Sequence, residues 1–275
     1  MSLGVIIKGP EGIVLAADSR VTLEAQRKDS PPIPVNYDNA TKLLSFSNRR
    51  EPNPHRYVGA VTYGQAVIGL RTAHSFVPEF EQTVLENKDR LKIEEYSSEI
   101  SKFFIERWQE TVKGEYQGPN MTFIVGGYDE GEAYGRVFRF EIPGEPKPRP
   151  ETTLESGFGM TWGGQLEVAS RLVHGFDPAL VNIVVKKLNL SEEQGKELYH
   201  ELITNLQYPI PYQVLPLQDC VDLAIFLIRT TMSAQQLAIA VRGVGGPIDV
   251  ATITRTKGLN YVQQKQIHGE EYLVS

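Results

Sequence analysis

Four residues near the start of the chain could do chemistry together: Ser2, Asp18, Arg20 and Lys42. The opening stretch reads MSLGVIIKGPEGIVLAADSRVT. If Met1 is removed, Ser2 carries a hydroxyl and a free α-amine on one residue. An amine with a reference pKa near ~8 can take the proton of that hydroxyl, so nucleophile and base coincide. Asp18 ends an apolar run that folds back, through a Gly9-Pro10-Glu11-Gly12 turn, beside the strand starting near Ser2. Lys42 opens the next strand, TKLLSF. Its positive charge would lower the pKa of the hydroxyl or the amine, and Asp18 would hold it charged and oriented. The same residues also fit a plain Asp-Ser-Arg turn with a surface ion pair and a strand-edge lysine.

The elements that must position these groups are strands first. LGVIIKG and GIVLAADSR form a hairpin; TKLLSFS and RYVGAVTYG supply the next two strands, with an exposed turn, NRREPNPH, between them. The Pro-rich stretch 29–36 predicts a loop. Residues 65–91 carry a helical pattern with Pro78 as a kink or break. Residues 94–113 repeat Ile100, Phe103, Phe104 and Trp108 at helical spacing. A second hairpin follows, MTFIVGGYDE with AYGRVFRFEIP, and then a Pro-rich turn at 144–151. GGQLEVASRLVHG suggests a short helix. SEEQGKELYHELITNL opens with a capping box, Ser191 to Gln194. PLQDCVDLAIFLIRTTMSAQQ is a long half-buried helix, PIDVATITRTKG is the last clear strand, and the tail after Lys257 reads as a strand and a mobile end. Helices arrive in consecutive pairs and not one after each strand. That pattern favours a layered α+β domain over a doubly wound parallel sheet. With 275 residues and no linker, one domain is the simpler organisation.

Composition excludes several classes. A net charge of -6 argues against a general nucleic-acid binder. No run approaches the ~20 apolar residues of a membrane span, and GVIIKG is too short for a signal peptide, so the expected compartment is the cytoplasm. The single cysteine, Cys220, reads as a small core residue. His55, His74, His174, His200 and His268 show no metal spacing, and no cofactor motif is present: the glycines of GVGGP, 243–247, lack the Lys-Ser/Thr of a P-loop and read as a turn. Trp108, Trp162 and the Phe103-Phe104 pair read as core or interface residues. Glu94-Glu95 and Glu192-Glu193 read as solvated first-turn residues of helices.

LGVIIKGPEGIVLAADSRVT followed by NATKLLSF resembles the start of proteasome β-type subunits, of the N-terminal-nucleophile hydrolase superfamily. YVGAVTYGQAVIGLRTA, MTFIVGGYDE, WGGQLEVASRLV and GPIDVATITRTKG resemble later family segments, and VGGPIDV is nearest the bacterial ancestral-β (Anbu-like) branch. The resemblance implies a four-layer αββα sandwich, peptide hydrolysis by an N-terminal nucleophile, and self-association into rings with the sites inside. An ATPase regulator feeding peptide or protein substrate is a further possible partner. Ser2 falls where the nucleophilic threonine lies, and Asp18, Arg20 and Lys42 fall on the family's Asp, Arg and Lys. Trp162-Gly163-Gly164 falls on the family's Gly-Ser-Gly turn without its serine, and the backbone N–H groups of Gly163 and Gly164 would form an oxyanion hole. Ser156 and Thr161 lie nearby.

The departures are specific. The nucleophile is serine, only Met1 precedes it, and the family's supporting Asp and Ser are replaced by Val241 and Val244. An alignment through Gly4 would leave no nucleophile. Residues 175–212 look like an insertion: a surface-decorating helix pair or, functionally, a lid or ring-to-ring contact. Three functions remain open: a Ser2 peptidase, a non-catalytic ring-forming subunit, and a small-molecule amide hydrolase on the same fold.

Overall fold

The two apolar runs become strands β1 (Leu3–Lys8) and β2 (Ile13–Asp18), antiparallel, with Gly4 opposite Ala17. All twelve positions are buried. Both faces of the pair are therefore covered, which is why the sequence runs apolar without alternating. The computed structural model describes residues 2–25, 31, 33–46, 53–84, 89–151, 154, 157–239 and 242–269.

On its other side β1 pairs with β12 (Gly159–Gly164), and β2 pairs with β13 (Ile248–Thr254), which carries β14 (Gly258–Gln263). This makes a five-stranded antiparallel sheet in the order β12-β1-β2-β13-β14. A second five-stranded antiparallel sheet runs β11 (Glu145–Pro150), β10 (Arg136–Ile142), β9 (Met121–Gly127), β6 (Val58–Gly64), β5 (Leu43–Ser45). Two ribbons are added: β3 (Val21–Ala25) with β4 (Ile33–Tyr37), and β7 (Val67–Ile68) with β8 (Arg71–Thr72).

Helices come in the expected groups. α1 (Ala73–Val84) and α2 (Ile93–Thr111) follow β8; α3 (Glu167–His174), α4 (Ala179–Leu188), α5 (Glu192–Leu206) and α6 (Leu217–Leu237) lie between β12 and β13. The capping box at Ser191 forms as expected, the Ser191 hydroxyl accepting from the Gln194 N–H at 3.2 Å. The class is α+β, with antiparallel sheets throughout. Among the described residues no single helix is long and apolar enough to cross a membrane.

Three apolar cores hold these elements. One joins the second sheet to α1 and α2 through edge-on phenylalanines, among them Phe80, Phe103 and Phe104. A second joins the first sheet to α3 and α6, and contains Leu3, Val5, Ile7 and Cys220. The third lies between the sheets: Ile6, Ile13 and Leu15 from one meet Val61, Ile124 and Val137 from the other. Side chains of β1 thus alternate between two cores, at the period of the pleat.

The local expectations fail where proline and glycine were taken as breakers. Residues 33–37 form β4, not a loop, because β4 is the outer strand of an exposed ribbon where Pro34 needs no ladder donor. Residues 145–150 form β11, not a turn. Pro146, Pro148 and Pro150 recur at the pleat period, so their missing N–H groups fall on one side, and an edge strand has one side that needs none. Residues 65–72 are a small hairpin, not helix: Gly64 and Gly69 take φ of 86° and 61° at either side of β7. The helix starts at Ala73 and passes through Pro78 without breaking. Trp162-Gly163-Gly164, expected as a turn, is the end of strand β12. The turn expected at 48–55 and the mobile end of the tail lie partly outside the described residues, although β14 confirms a strand after Lys257.

Packing between the sheets predicts a clear contrast. Leu15 is fully buried in the middle core, so Leu15→Ala should cost about 2–5 kcal/mol in denaturant unfolding. Ile183 on α4 is 62% exposed, and Ile183→Ala should change stability by no more than about 0.5 kcal/mol.

Candidate active site

Asp18 is the last residue of β2 and has a side chain with no exposed surface. Four donors from four places in the chain close on its carboxylate. Oδ1 accepts from the Leu3 N–H at 2.9 Å and from the Lys42 ammonium at 2.8 Å. Oδ2 accepts from the Arg20 N–H at 3.1 Å and the Gly245 N–H at 3.0 Å. A buried carboxylate needs this many partners to offset its lost hydration. The hairpin register explains the first bond: β2 ends where β1 begins, so Asp18 lies beside the residue that follows Ser2.

Ser2 is 5% exposed and borders a small pocket with Lys42, Thr41, Tyr63 and Gly64. Its carbonyl accepts the Gln165 N–H at 2.7 Å, which ties the start of the chain to the end of β12. Two glycines make that approach possible. Gly164, opposite Leu3, has φ of 100°, and a Cβ there would sit 1.9 Å from the Ser2 carbonyl oxygen. A Cβ at Gly163 would sit 2.0 Å from the Tyr63 ring. Gly163 and Gly164 therefore hold Ser2 and Tyr63 in place, but neither is among the residues lining the Ser2 pocket. The wall is Thr62–Ala66 instead. The Thr62 N–H donates across to the Lys42 carbonyl at 2.9 Å, and Gln65 gives its N–H to Asn120. By strand alternation the Gly64 N–H falls on the same side as that of Thr62, beyond the residue where β5 begins.

Lys42, also 5% exposed, bonds Asp18 and the Arg20 carbonyl. Burial lowers its pKa below the ordinary lysine value; the Asp18 charge and hydrogen bond pull the other way. Arg20 does not enter the pocket lining. Its guanidinium forks onto Asp38 at 2.5 and 2.7 Å and reaches the Arg242 carbonyl at 3.2 Å, so it braces the loop that supplies the fourth Asp18 donor. The hydrogen bonds to Asp38 raise the Arg20 pKa and lower that of Asp38.

Sequence reasoning thus brings together Ser2, Asp18 and Lys42, with Arg20 one layer behind. It missed four contributors. Gly245 belongs to the glycine run set aside as a turn; it is a turn, and its N–H and carbonyl serve Asp18 and the Ser19 N–H. Tyr63 stands in an ordinary strand, its phenol pushed up to about 12 by burial. Gln165 and Gln235 form a relay: the Gln235 amide donates to the Gln165 side chain at 3.0 Å, and the Gln235 carbonyl accepts from the Val244 N–H at 3.0 Å. A glutamine at the end of a helix gives no signal by itself; only the fold puts α6, β12 and the loop before β13 side by side. Val244 is 2% exposed and core-forming. Thr161 is paired with Ile6 in β12 and does not line the Ser2 pocket. Val241, Ser156 and Met1 lie outside the described residues.

Removing one member of the buried pair should be costly. Lys42→Met leaves an unpaired carboxylate and should lose about 3–5 kcal/mol; adding Asp18→Asn should cost less than the sum of the two single changes, read from a double-mutant cycle in urea.

A scan against family models finds no match for this chain, and neither does a search of curated proteins.

Proposed function

We propose that the protein is an amide hydrolase of the N-terminal-nucleophile type, acting on peptides, with the four-layer αββα sandwich of that superfamily. The two antiparallel sheets, with helices packed on the outer face of each, support that fold. The observation that carries the function is the buried Lys42–Asp18 pair, 2.8 Å apart, beside a buried serine at position 2. After loss of Met1, the Ser2 hydroxyl attacks the amide carbonyl and passes its proton to its own α-amine, directly or through a water. Lys42 stabilises the developing negative charge, and Asp18 fixes Lys42. The Gly64 N–H takes the oxyanion role first expected of Gly163 and Gly164, which instead position the nucleophile. The ammonium so formed returns the proton to the amide nitrogen as the C–N bond breaks and the amine leaves; water, deprotonated by the same α-amine, then hydrolyses the acyl ester and restores Ser2. Self-association into rings, an ATPase partner and a cytoplasmic location belong to the same proposal.

A second reading, a non-catalytic ring-forming subunit, draws on one observation: Val244 fills an apolar core with no acid or hydroxyl of its own to join the Ser2 proton path. Intact mass and covalent labelling separate the two. Active protein should lack Met1, and a peptide epoxyketone should add to Ser2. Ser2→Ala should abolish labelling and peptide cleavage, while Ser2→Thr should keep both. Retained Met1 in protein that still cleaves, or cleavage by Ser2→Ala, would overturn the mechanism. Cleavage of simple acyl-amides with no cleavage of peptides would point to the small-molecule alternative.

The pH profile follows from the two amines. The Ser2 α-amine must be neutral to accept a proton, so kcat/KM should fall as pH drops below its pKa, near ~8. Lys42 must be protonated, and burial lowers its pKa, so activity should fall again below the ordinary lysine value of 10.5. A plateau held up to pH 11 would contradict this role for Lys42.

A further inference from the structure

A cleft of about 640 Å³ lies away from Ser2. It lies between β12, α3 and α5, where β12 is the edge strand of its sheet. α5 belongs to the segment read as an insertion, and the chain leaving it is tied back by the Tyr208 N–H, which donates to the Val173 carbonyl at 2.9 Å. The exit of the insertion is thus pinned to the end of α3, and α5 forms one wall of the cleft.

The chemistry of the lining is selective. Nearly a quarter of the chain is charged, 23%, yet among the described residues none that line this cleft is an acid, a lysine or an arginine. Aromatic rings stand around one histidine: Trp162 at 5.0 Å and Tyr199 at 6.3 Å from the His174 ring. Burial lowers the His174 pKa, which keeps the imidazole neutral. Its Nδ1 is shielded from solvent and out of reach of a molecule in the cleft, whereas its Nε2 is not shielded and makes no hydrogen bond with the described residues. Thr161, Ser170 and Gln207 add neutral polar groups to the same walls.

We infer that this cleft is a binding site for a small, uncharged aromatic molecule whose polar group hydrogen-bonds His174. Its walls give a flat apolar body stacking surfaces, and the reachable imidazole nitrogen, Nε2, fixes orientation. An anionic or cationic ligand would enter with no counter-charge. The inference does not depend on hydrolysis at Ser2.

The test uses the full chain and three probes followed by titration calorimetry and tryptophan fluorescence. 1-Naphthol has a hydroxyl that both donates and accepts, so it meets either tautomer of His174. Naphthalene offers no such group, and naphthalene-1-sulfonate adds a charge. 1-Naphthol should bind saturably, one per chain, and the sulfonate at least about tenfold more weakly, since its charge would be buried unpaired. His174→Phe, which keeps an aromatic ring, should weaken 1-naphthol by about 2–10-fold, the worth of one hydrogen bond, and leave naphthalene unchanged. Ile203→Trp, at the cleft wall, should block both neutral probes. Equal binding of the sulfonate, an unchanged 1-naphthol affinity in His174→Phe, or no saturable binding because another copy of the chain fills the cleft would each overturn the proposal.

Discussion

The Asp18 carboxylate is the constraint on which the rest of the site depends. It gathers the backbone beside Ser2, the strand that carries Lys42, the Arg20 turn and the glycine loop before β13. A charge buried this deeply is tolerable only with all of its partners in place. Forming the fold and assembling the site are therefore one event. The two sheets must meet for Lys42 to reach Asp18, since Lys42 precedes β5 in one sheet and Asp18 ends β2 in the other.

The support behind this centre is built from backbone rather than from acids and hydroxyls. Gly164 lets β12 close on the Ser2 carbonyl, Gly163 makes room for Tyr63, and Gly245 presents an N–H. The glutamine relay through Gln165 and Gln235 connects the last turns of α6 to the same place. Val244, which has neither an acid nor a hydroxyl, offers its amide N–H to that relay. Neutral amides can hold geometry, but they do not add charge next to the nucleophile. Lys42 is then the cation placed to act on Ser2 within the pocket lining.

What the sequence disclosed follows from how local each signal is. Asp18 was legible because a hairpin with a short turn has a fixed register, so its position relative to Ser2 is arithmetic. Lys42 was legible because it immediately precedes an apolar strand, although β3 and β4 intervene between that strand and β2. The α+β order was legible because helices came in pairs. Gly245, Tyr63, Gln165 and Gln235 were not, because each acts through at least one partner more than forty positions away, which its own neighbourhood does not reveal. The proline-rich strands β4 and β11 were misjudged for a related reason. Proline reports that a backbone donor is missing, and only the sheet order reveals that those strands have a side on which none is needed.

Strand β1 finds its first neighbour, β2, within a few residues, but its second neighbour, β12, is made only after some hundred and fifty more have been added. During synthesis one flank of the opening strand therefore stays unpaired until more than half of the chain has been made, and the free flank of β2 waits longer still for β13. Ser2, at 5% exposure and with its carbonyl held by the Gln165 N–H, is thus enclosed only when the end of β12 has paired with the beginning of β1.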